Sequence, residues 1–528
     1  MPLHVLRHRL YEPLAEVRVS ESVHVLAMHH ASLSSLFTPC RFAVVLGDGE
    51  MQEGQVYEAL MTMRTRNICN LTVIVDVNKF QSDNLTHEIK LLPDFPQLFA
   101  SFGFSVIEIN GNDTSLVADA WCRSAGQLSV IIAHTTKAAG THLMATEVNC
   151  AGKSCQPWHT RVPTWAVYRD FLNEQLASAS SALKHLLDAH LLAKLSSDHL
   201  LSLSNELRPK VAQVGTGKAF GEAIVRKLDE MPNLALLDGD LASSLGVTGA
   251  SAHPRFFQMG VSEQDMCSFA SGLAMSGLLP VVHTYSNFFK RSFENMFIAN
   301  VDRLKIIYAG SYSGLCYHTD GPSHTSINDT SVMTGLGLVV LDPITPFHTT
   351  RLLEWSLSPS VSSSVFFRLR RTPLPEVSVF DEHVQQRDDT FSPARPIMIN
   401  RSDCGTCRTC FIVMGTVGLF LALECVKMSE AFSKASISVV SALNVPLSDS
   451  DLESWKSLLS SFSTFICIED DAGALYRHVC HMCVQHVASS PPKVLSKRIE
   501  RPGPSCRTFG ACLEYHGFTV AGIEALCV

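Results

Sequence analysis

Two oxygen-bearing side chains, Asp48 and Asn78, stand 30 residues apart at the ends of two apolar runs. Ala43 to Leu46 reads as a buried parallel strand that stops at Gly47-Asp48-Gly49, and Leu71 to Val77 reads as a second that ends at Asn78. Between them Val56, Ala59, Leu60 and Met63 recur at helical spacing. Strand, turn, helix and strand make a βαβ unit, and open α/β sheets take their ligands at the carboxyl ends of the strands. An acid and an amide at that place are hard ligands. They suit Mg²⁺ or Ca²⁺ clamping a diphosphate, with substrate oxygens and water completing an octahedron. The same two residues also suit a helix-capping Asp and a turn Asn.

Other stretches carry chemistry of their own. In MGVSEQDM (259–266) Glu263 falls in the first turn of a helix running through Phe269, Ala270, Leu273 and Ala274, where the helix dipole favours an acid. TYSNFFKRSFEN (284–295) is an aromatic run, and Phe289 and Phe293 read as core. GTGKAFG (215–221) opens a helix, and Asp238 follows 23 residues after Gly215. That pattern admits a dinucleotide fingerprint, although its spacing is G-x-G-x-x-x-G. Cys404, Cys407 and Cys410 form C-x-x-C-x-x-C with no second cluster beside them, which reads as thiols in a linker rather than zinc.

These residues need elements to hold them, and the chain has the means. Its 528 residues suit three or four domains, and 46% hydrophobic content suffices for several cores. A net charge of −8 without any basic block argues against nucleic acid as a partner. Seventeen cysteines scattered through apolar segments read as a reducing, cytoplasmic interior. The uncharged apolar stretch Cys410 to Leu423 is too short to span a membrane, and no continuous apolar leader opens the chain. Phe102 to Ile109, Leu128 to His134, Asn233 to Asp240, Phe411 to Gly415, Ile437 to Ala442 and Phe465 to Asp470 read as further strands between helices. The expected fold class is therefore α/β with mainly parallel sheets.

GDGEMQEGQVYEA, followed by an Asn after the next strand, resembles the thiamine-diphosphate motif of transketolases. The resemblance runs from about residue 40 to residue 528. It implies three α/β domains: residues 1–190 binding the diphosphate, 209–375 binding the pyrimidine, and 396–528 forming the family's C-terminal domain. Only 46 residues precede the GDG, so the first domain is expected to be incomplete, lacking the family's substrate-facing histidines and a Gly-rich loop.

Carried over residue by residue, the likeness implies Asp48, Asn78 and the carbonyl of Phe80 as metal ligands, with Gly49 beside the cofactor. Glu53 would join the acidic network at a dimer interface. Lys137, in HTTKAAG, would face the cofactor side. His159, after Trp158, would meet the diphosphate and the reacting centre. Glu263 would bond the aminopyrimidine nitrogen and promote formation of the thiazolium ylide. Phe288 would stack on the pyrimidine, and Tyr285 would wall its pocket. Ser244, Asp320, His324 and Arg371 would hold the substrate, Arg368 and Arg370 being near enough to compete for the last role. Two positions depart from the family: Gly217 replaces a phosphate-gripping arginine, and Tyr312 stands where the family has histidine.

The expected activity is transfer of a two-carbon ketol unit between ketose and aldose phosphates in the pentose phosphate pathway, by a homodimer with shared active sites. Two alternatives stand beside it: a catalytically inactive transketolase-like interaction protein, and a dinucleotide-dependent oxidoreductase.

Overall fold

Parallel strands dominate the computed structural model, which describes residues 41–82, 84–141, 148–150, 153–155, 165–178, 214–317, 319–371, 377, 379–385, 391–400, 408–487, 491–506 and 508–527. The chain divides into two compact units, Met1–Pro209 with Met259–Ser262, and Lys210–Gln258 with Glu263–Val528.

In the first unit β1 (Phe42–Gly47), β2 (Leu71–Val77), β3 (Ser105–Asn110) and β4 (Ser129–His134) form a sheet of order β1-β2-β4-β3, every pair parallel. Helix Gly54–Arg66 connects β1 to β2 and buries Val56, Ala59, Leu60 and Met63, the stripe that the spacing predicts. Asn67 ends it in the left-handed conformation, in which its N–H can reach back to the Met63 and Arg64 carbonyls. Helix Thr114–Arg123 is capped by Asp113, which accepts the N–H groups of Ser115 and Leu116. A short antiparallel pair, β5 (Val148–Cys150) and β6 (Lys153–Cys155), follows.

The second unit holds two sheets. The larger contains β7 (Leu234–Asp238), β8 (Phe256–Gln258), β9 (Leu279–Tyr285), β10 (Ile307–Ser311), β11 (Val339–Leu341) and β12 (Val365–Arg368), all parallel. The smaller contains β13 (Ile397–Asn400), β14 (Thr409–Met414), β15 (Ser436–Val439), β17 (Thr464–Glu469) and β18 (Lys493–Lys497), with β13 alone antiparallel. Between β15 and β17 the chain sends β16 (Ala442–Leu443) to the edge of the larger sheet, antiparallel to β11. Strands β7, β9, β10 and β12 are buried throughout, as expected where helices cover both faces of a parallel sheet. The α/β, mainly parallel class read from the sequence is the observed one.

Details depart from the expectation where solvent or the chain path intervenes. Phe256–Gln258 is half-buried because β8 is an edge strand, and Phe293 is exposed rather than core. Phe289 is fully buried. Cys410 lies buried inside β14 and not in a linker, while Cys404 and Cys407 fall outside the described residues. Among the described residues, no helix is long and apolar enough to cross a membrane.

Candidate functional site

The first unit presents a polar cluster where β1 and β2 end. Gly47 pairs with Asp76, so Asp48 begins the loop beside the carboxyl end of β2. Asp48 is only 2% exposed, and every hydrogen bond to it comes from the loops it organises. Its Oδ1 accepts the Gly49 N–H at 2.9 Å, and its Oδ2 accepts the Lys79 N–H at 2.7 Å and the Thr86 hydroxyl at 3.2 Å. Burial pushes the Asp48 carboxyl above the usual range, against those hydrogen bonds.

Asn78 Oδ1 accepts the Phe80 N–H at 3.0 Å, and its amide donates to Asp76 at 3.2 Å. Thr135 also donates to Asp76. Gly49 is buried with the Gln81 side chain 3.2 Å from where a Cβ would stand, so a larger residue there requires Gln81 to give way by a few tenths of an ångström. Burial pushes the Lys137 ammonium down, while the charges of Asp76 and Asp48 pull it up, which places Lys137 within the field of both carboxylates. Glu53 sits half-buried at the start of helix Gly54–Arg66. The donors gathered here are carboxylate, amide and carbonyl oxygens, a set that fits a hard divalent cation. His159 lies outside the described residues.

The second unit gathers an aromatic and cationic cluster at the carboxyl ends of β9, β10 and β12. The Tyr285 ring stacks on Tyr312 with centroids 4.3 Å apart and planes at 28°. Phe288 packs against Tyr285 at 5.2 Å, and His324 meets both rings edge-on at 5.6 and 5.4 Å. The Ser244 hydroxyl lies 3.2 Å from the Tyr285 hydroxyl. Arg371 donates to the Tyr312 hydroxyl at 3.0 Å. Asp320 Oδ2 stands 4.0 Å from His324 Nε2. Six expected residues (Ser244, Tyr285, Phe288, Asp320, His324 and Arg371) therefore fall in one place, around a Tyr312 held at φ +60°. A cleft of about 280 Å³ opens beside them, walled by Gly217, Lys218, Ser244, Ser311, Tyr312 and Arg371.

The three neighbouring arginines separate by burial. Arg368 and Arg370 are 1% and 0% exposed and engage Asp329, Asp342 and Asp470, whereas Arg371 is exposed on the cleft wall. Glu263 begins helix Glu263–Met275 and is 3% exposed. Arg291 donates to it at 2.6 Å, and the same guanidinium lies 4.8 Å over the Phe288 ring. Sequence reasoning missed Arg291, although it stands inside the aromatic run that singled out Phe288. Asp238, the acid of the dinucleotide pattern, is fully buried and turned into the sheet toward His283. Buried there, it has no surface to offer a ribose, which removes the basis for a dinucleotide site.

Residues 212–376 match the family model for the transketolase pyrimidine binding domain. The chain is 27% identical over 298 residues to a transketolase of Homo sapiens, covering 55% of this chain and 46% of that one. It is 25% identical over 410 residues to a transketolase of Mus musculus, covering 76% and 61% respectively. The chain thus spans between about half and three-fifths of the length of these curated relatives. A solved transketolase from Leishmania mexicana shares the fold at a TM-score of 0.50 and 18% identity, covering 96% of this chain and 79% of that one.

Proposed function

The chain belongs to the transketolase family, and we propose that it transfers a two-carbon ketol unit from a ketose phosphate to an aldose phosphate. The observation that carries this reading is the gathering of Ser244, Tyr285, Phe288, Asp320, His324 and Arg371 around Tyr312 at the strand ends of the larger sheet, with Ser244 and Arg371 on the wall of the cleft. Thiamine diphosphate, when bound, supplies the electron sink for breaking and making a C–C bond beside a carbonyl. Asp48, Asn78 and the Phe80 carbonyl are the residues to hold its divalent cation, with Gly49 and Lys137 on the cofactor side and Glu53 in an acidic network at the dimer interface that serves the cofactor. His159 is proposed to face the same group. Glu263, buried and oriented by Arg291, is the residue to hold a proton against the aminopyrimidine ring. Tyr285 and Phe288 form an apolar wall for that ring, and Phe288 is itself held by Arg291. Arg371 and Ser244 are placed to take a sugar phosphate, while Asp320 and His324 meet hydroxyl and carbonyl oxygens. The working unit is proposed to be a cytoplasmic homodimer whose subunits share active sites, built of diphosphate-binding (1–190), pyrimidine-binding (209–375) and C-terminal (396–528) domains.

A second reading, a transketolase-like interaction protein without catalysis, is favoured by one feature of the cleft. Gly217 presents no cation there, and Tyr312 takes an N–H of Arg371 that a phosphate would otherwise use.

One experiment separates the two. Purified protein is titrated calorimetrically with thiamine diphosphate and Mg²⁺, then assayed for ketol transfer beside Glu263→Gln. The proposal expects saturable binding in both proteins and activity at least about a hundredfold lower in the variant, the usual order for a positioned proton-transfer group. Folded wild-type protein that binds no cofactor would establish the second reading. Equal activity in the two proteins would remove Glu263 from the chemistry.

A further inference from the structure

The ends of β7, β9 and β10 carry a constellation that ketol transfer does not use. His283, on β9, has Nδ1 2.6 Å from Asp238 Oδ1 and Nε2 3.0 Å from the Ser311 hydroxyl. Asp238 is fixed in turn, because its Oδ2 accepts the Leu241 N–H at 2.8 Å and the Gln258 side-chain amide at 2.9 Å. Hydroxyl, imidazole and acid follow one another in the order that activates a serine: the base touches the hydroxyl through one ring nitrogen, and the acid orients it through the other.

The surroundings add to that order. Ser311 is the last residue of β10, and Tyr312 after it turns the chain in the left-handed conformation, which a bulky residue adopts only under constraint. Ser311 also lines the 280 Å³ cleft, whose wall includes Lys218 and Arg371. Helix Thr216–Glu230 starts at that wall, so the positive end of its dipole lies toward the cleft.

We propose that Ser311, His283 and Asp238 form a nucleophilic centre that cleaves small esters carrying an anionic group. The inference stands apart from ketol transfer and does not rest on it. Ser311 Oγ forms a bond to the ester carbonyl carbon while His283 Nε2 takes its proton. The carbonyl-to-alkoxy bond then breaks, and the alcohol leaves with the proton returned by His283. Water next attacks the acyl-serine, giving a proton to His283; the bond from the acyl carbon to Ser311 Oγ breaks, His283 returns the proton to that oxygen, and the carboxylic acid leaves. Lys218 and Arg371 select the anionic substituent, and the cleft's volume limits the substrate to a small one.

The test is covalent labelling of the full chain with a fluorophosphonate probe, mapped by peptide mass spectrometry. Folded wild-type protein is expected to take one label on Ser311, and Ser311→Ala none there. Asp238→Asn, close to isosteric, is expected to slow the labelling of Ser311 by about 10²–10⁴-fold, as loss of the orienting acid does in serine triads. Millimolar inorganic phosphate is expected to slow labelling of the wild type. Failure of the folded wild type to label at Ser311 would reduce the constellation to a hydrogen-bonded tie between strands and overturn the proposal, whatever the variants do. Labelling indifferent to phosphate would overturn the anionic substrate class.

Discussion

His348 is a side chain that the fold keeps neutral. It is fully buried, its Nδ1 accepts the Ile344 N–H at 3.2 Å, and its ring packs on Phe380 with centroids 4.9 Å apart. Burial pushes its pKa down to about 3 from 6.5, against the pull of Asp342. A folded value below the unfolded one means that the unfolded chain takes up the proton first. The contribution of this site is therefore complete above about pH 6.5 and is lost as pH falls toward 3. The loss amounts to about 1.4 kcal/mol per pH unit across that window. His478, pushed down to about 4 by burial, acts in the same direction. Replacing His348 by Gln is expected to flatten the acid limb of the stability curve while lowering stability at pH 7. Urea midpoints measured from pH 7 to pH 4 in both proteins check this, and parallel curves would show that His348 does not titrate on unfolding.

At the scale of elements, the two sheets of the second unit are joined by buried charge. Arg368, at the end of β12, donates to Asp329 at 3.0 Å, to Asp342 at 2.6 Å and to the Asp470 carbonyl at 3.1 Å. Arg370 donates to Asp470 at 2.6 Å and also to Asp342. Asp470 follows β17 of the smaller sheet, so the guanidinium groups of one sheet are neutralised by an acid of the other. Removing one member of such a network leaves an uncompensated buried charge. Arg368→Met is accordingly expected to cost about 3–5 kcal/mol, far more than any exposed ion pair on this surface. Thermal unfolding checks this, and a midpoint within a degree of wild type would mean that the network is dispensable. Helix Thr216–Glu230 depends on close approach instead. A Cβ at Gly221 would stand 2.0 Å from the Leu245 carbonyl oxygen, which only glycine avoids.

At the scale of the whole molecule, one surface is more apolar than a monomer needs. Helix Phe293–Val301 exposes Phe293, Phe297, Ile298 and Val301 at 45–58%, and the adjoining helix Glu263–Met275 adds Phe269 and Met275. The two helices are tied together, Asn295 donating to Ser268 at 2.9 Å, so the patch is a firm surface. Contiguous exposed side chains of this kind mark an interface. A second copy is the occupant that fits the proposed function, since the helix that bears Phe269 and Met275 starts at Glu263 and shared active sites require a partner near that residue. Sedimentation equilibrium at micromolar concentration is expected to give a dimer, and Phe297→Asp with Ile298→Asp to give folded monomers without ketol transfer. A monomeric wild type would count against shared sites.

Local sequence determined the elements and the residue types at their ends. Apolar runs long enough for one buried strand, helical spacing between them, and glycines at the turns placed β1, β2, β3, β4, β7, β14, β15 and β17 within a few residues, because burial and backbone geometry act over that range. The strings around Asp48, Glu263 and Phe288 also carried the family likeness. Tertiary structure decided what no window of sequence contains. Strand order in a parallel sheet is set by long crossovers, so Asp238, His283 and Ser311 met only after β7, β9 and β10 became neighbours. The same holds for the three arginines, which are adjacent and chemically alike. Only the approach of Asp342 and Asp470 buried Arg368 and Arg370 and left Arg371 exposed. Phe289 and Phe293 differ for a related reason. Aromatic character says that a ring gains by leaving water, but which neighbour removes it from water is fixed by packing, and among the described residues Phe293 is left 48% exposed.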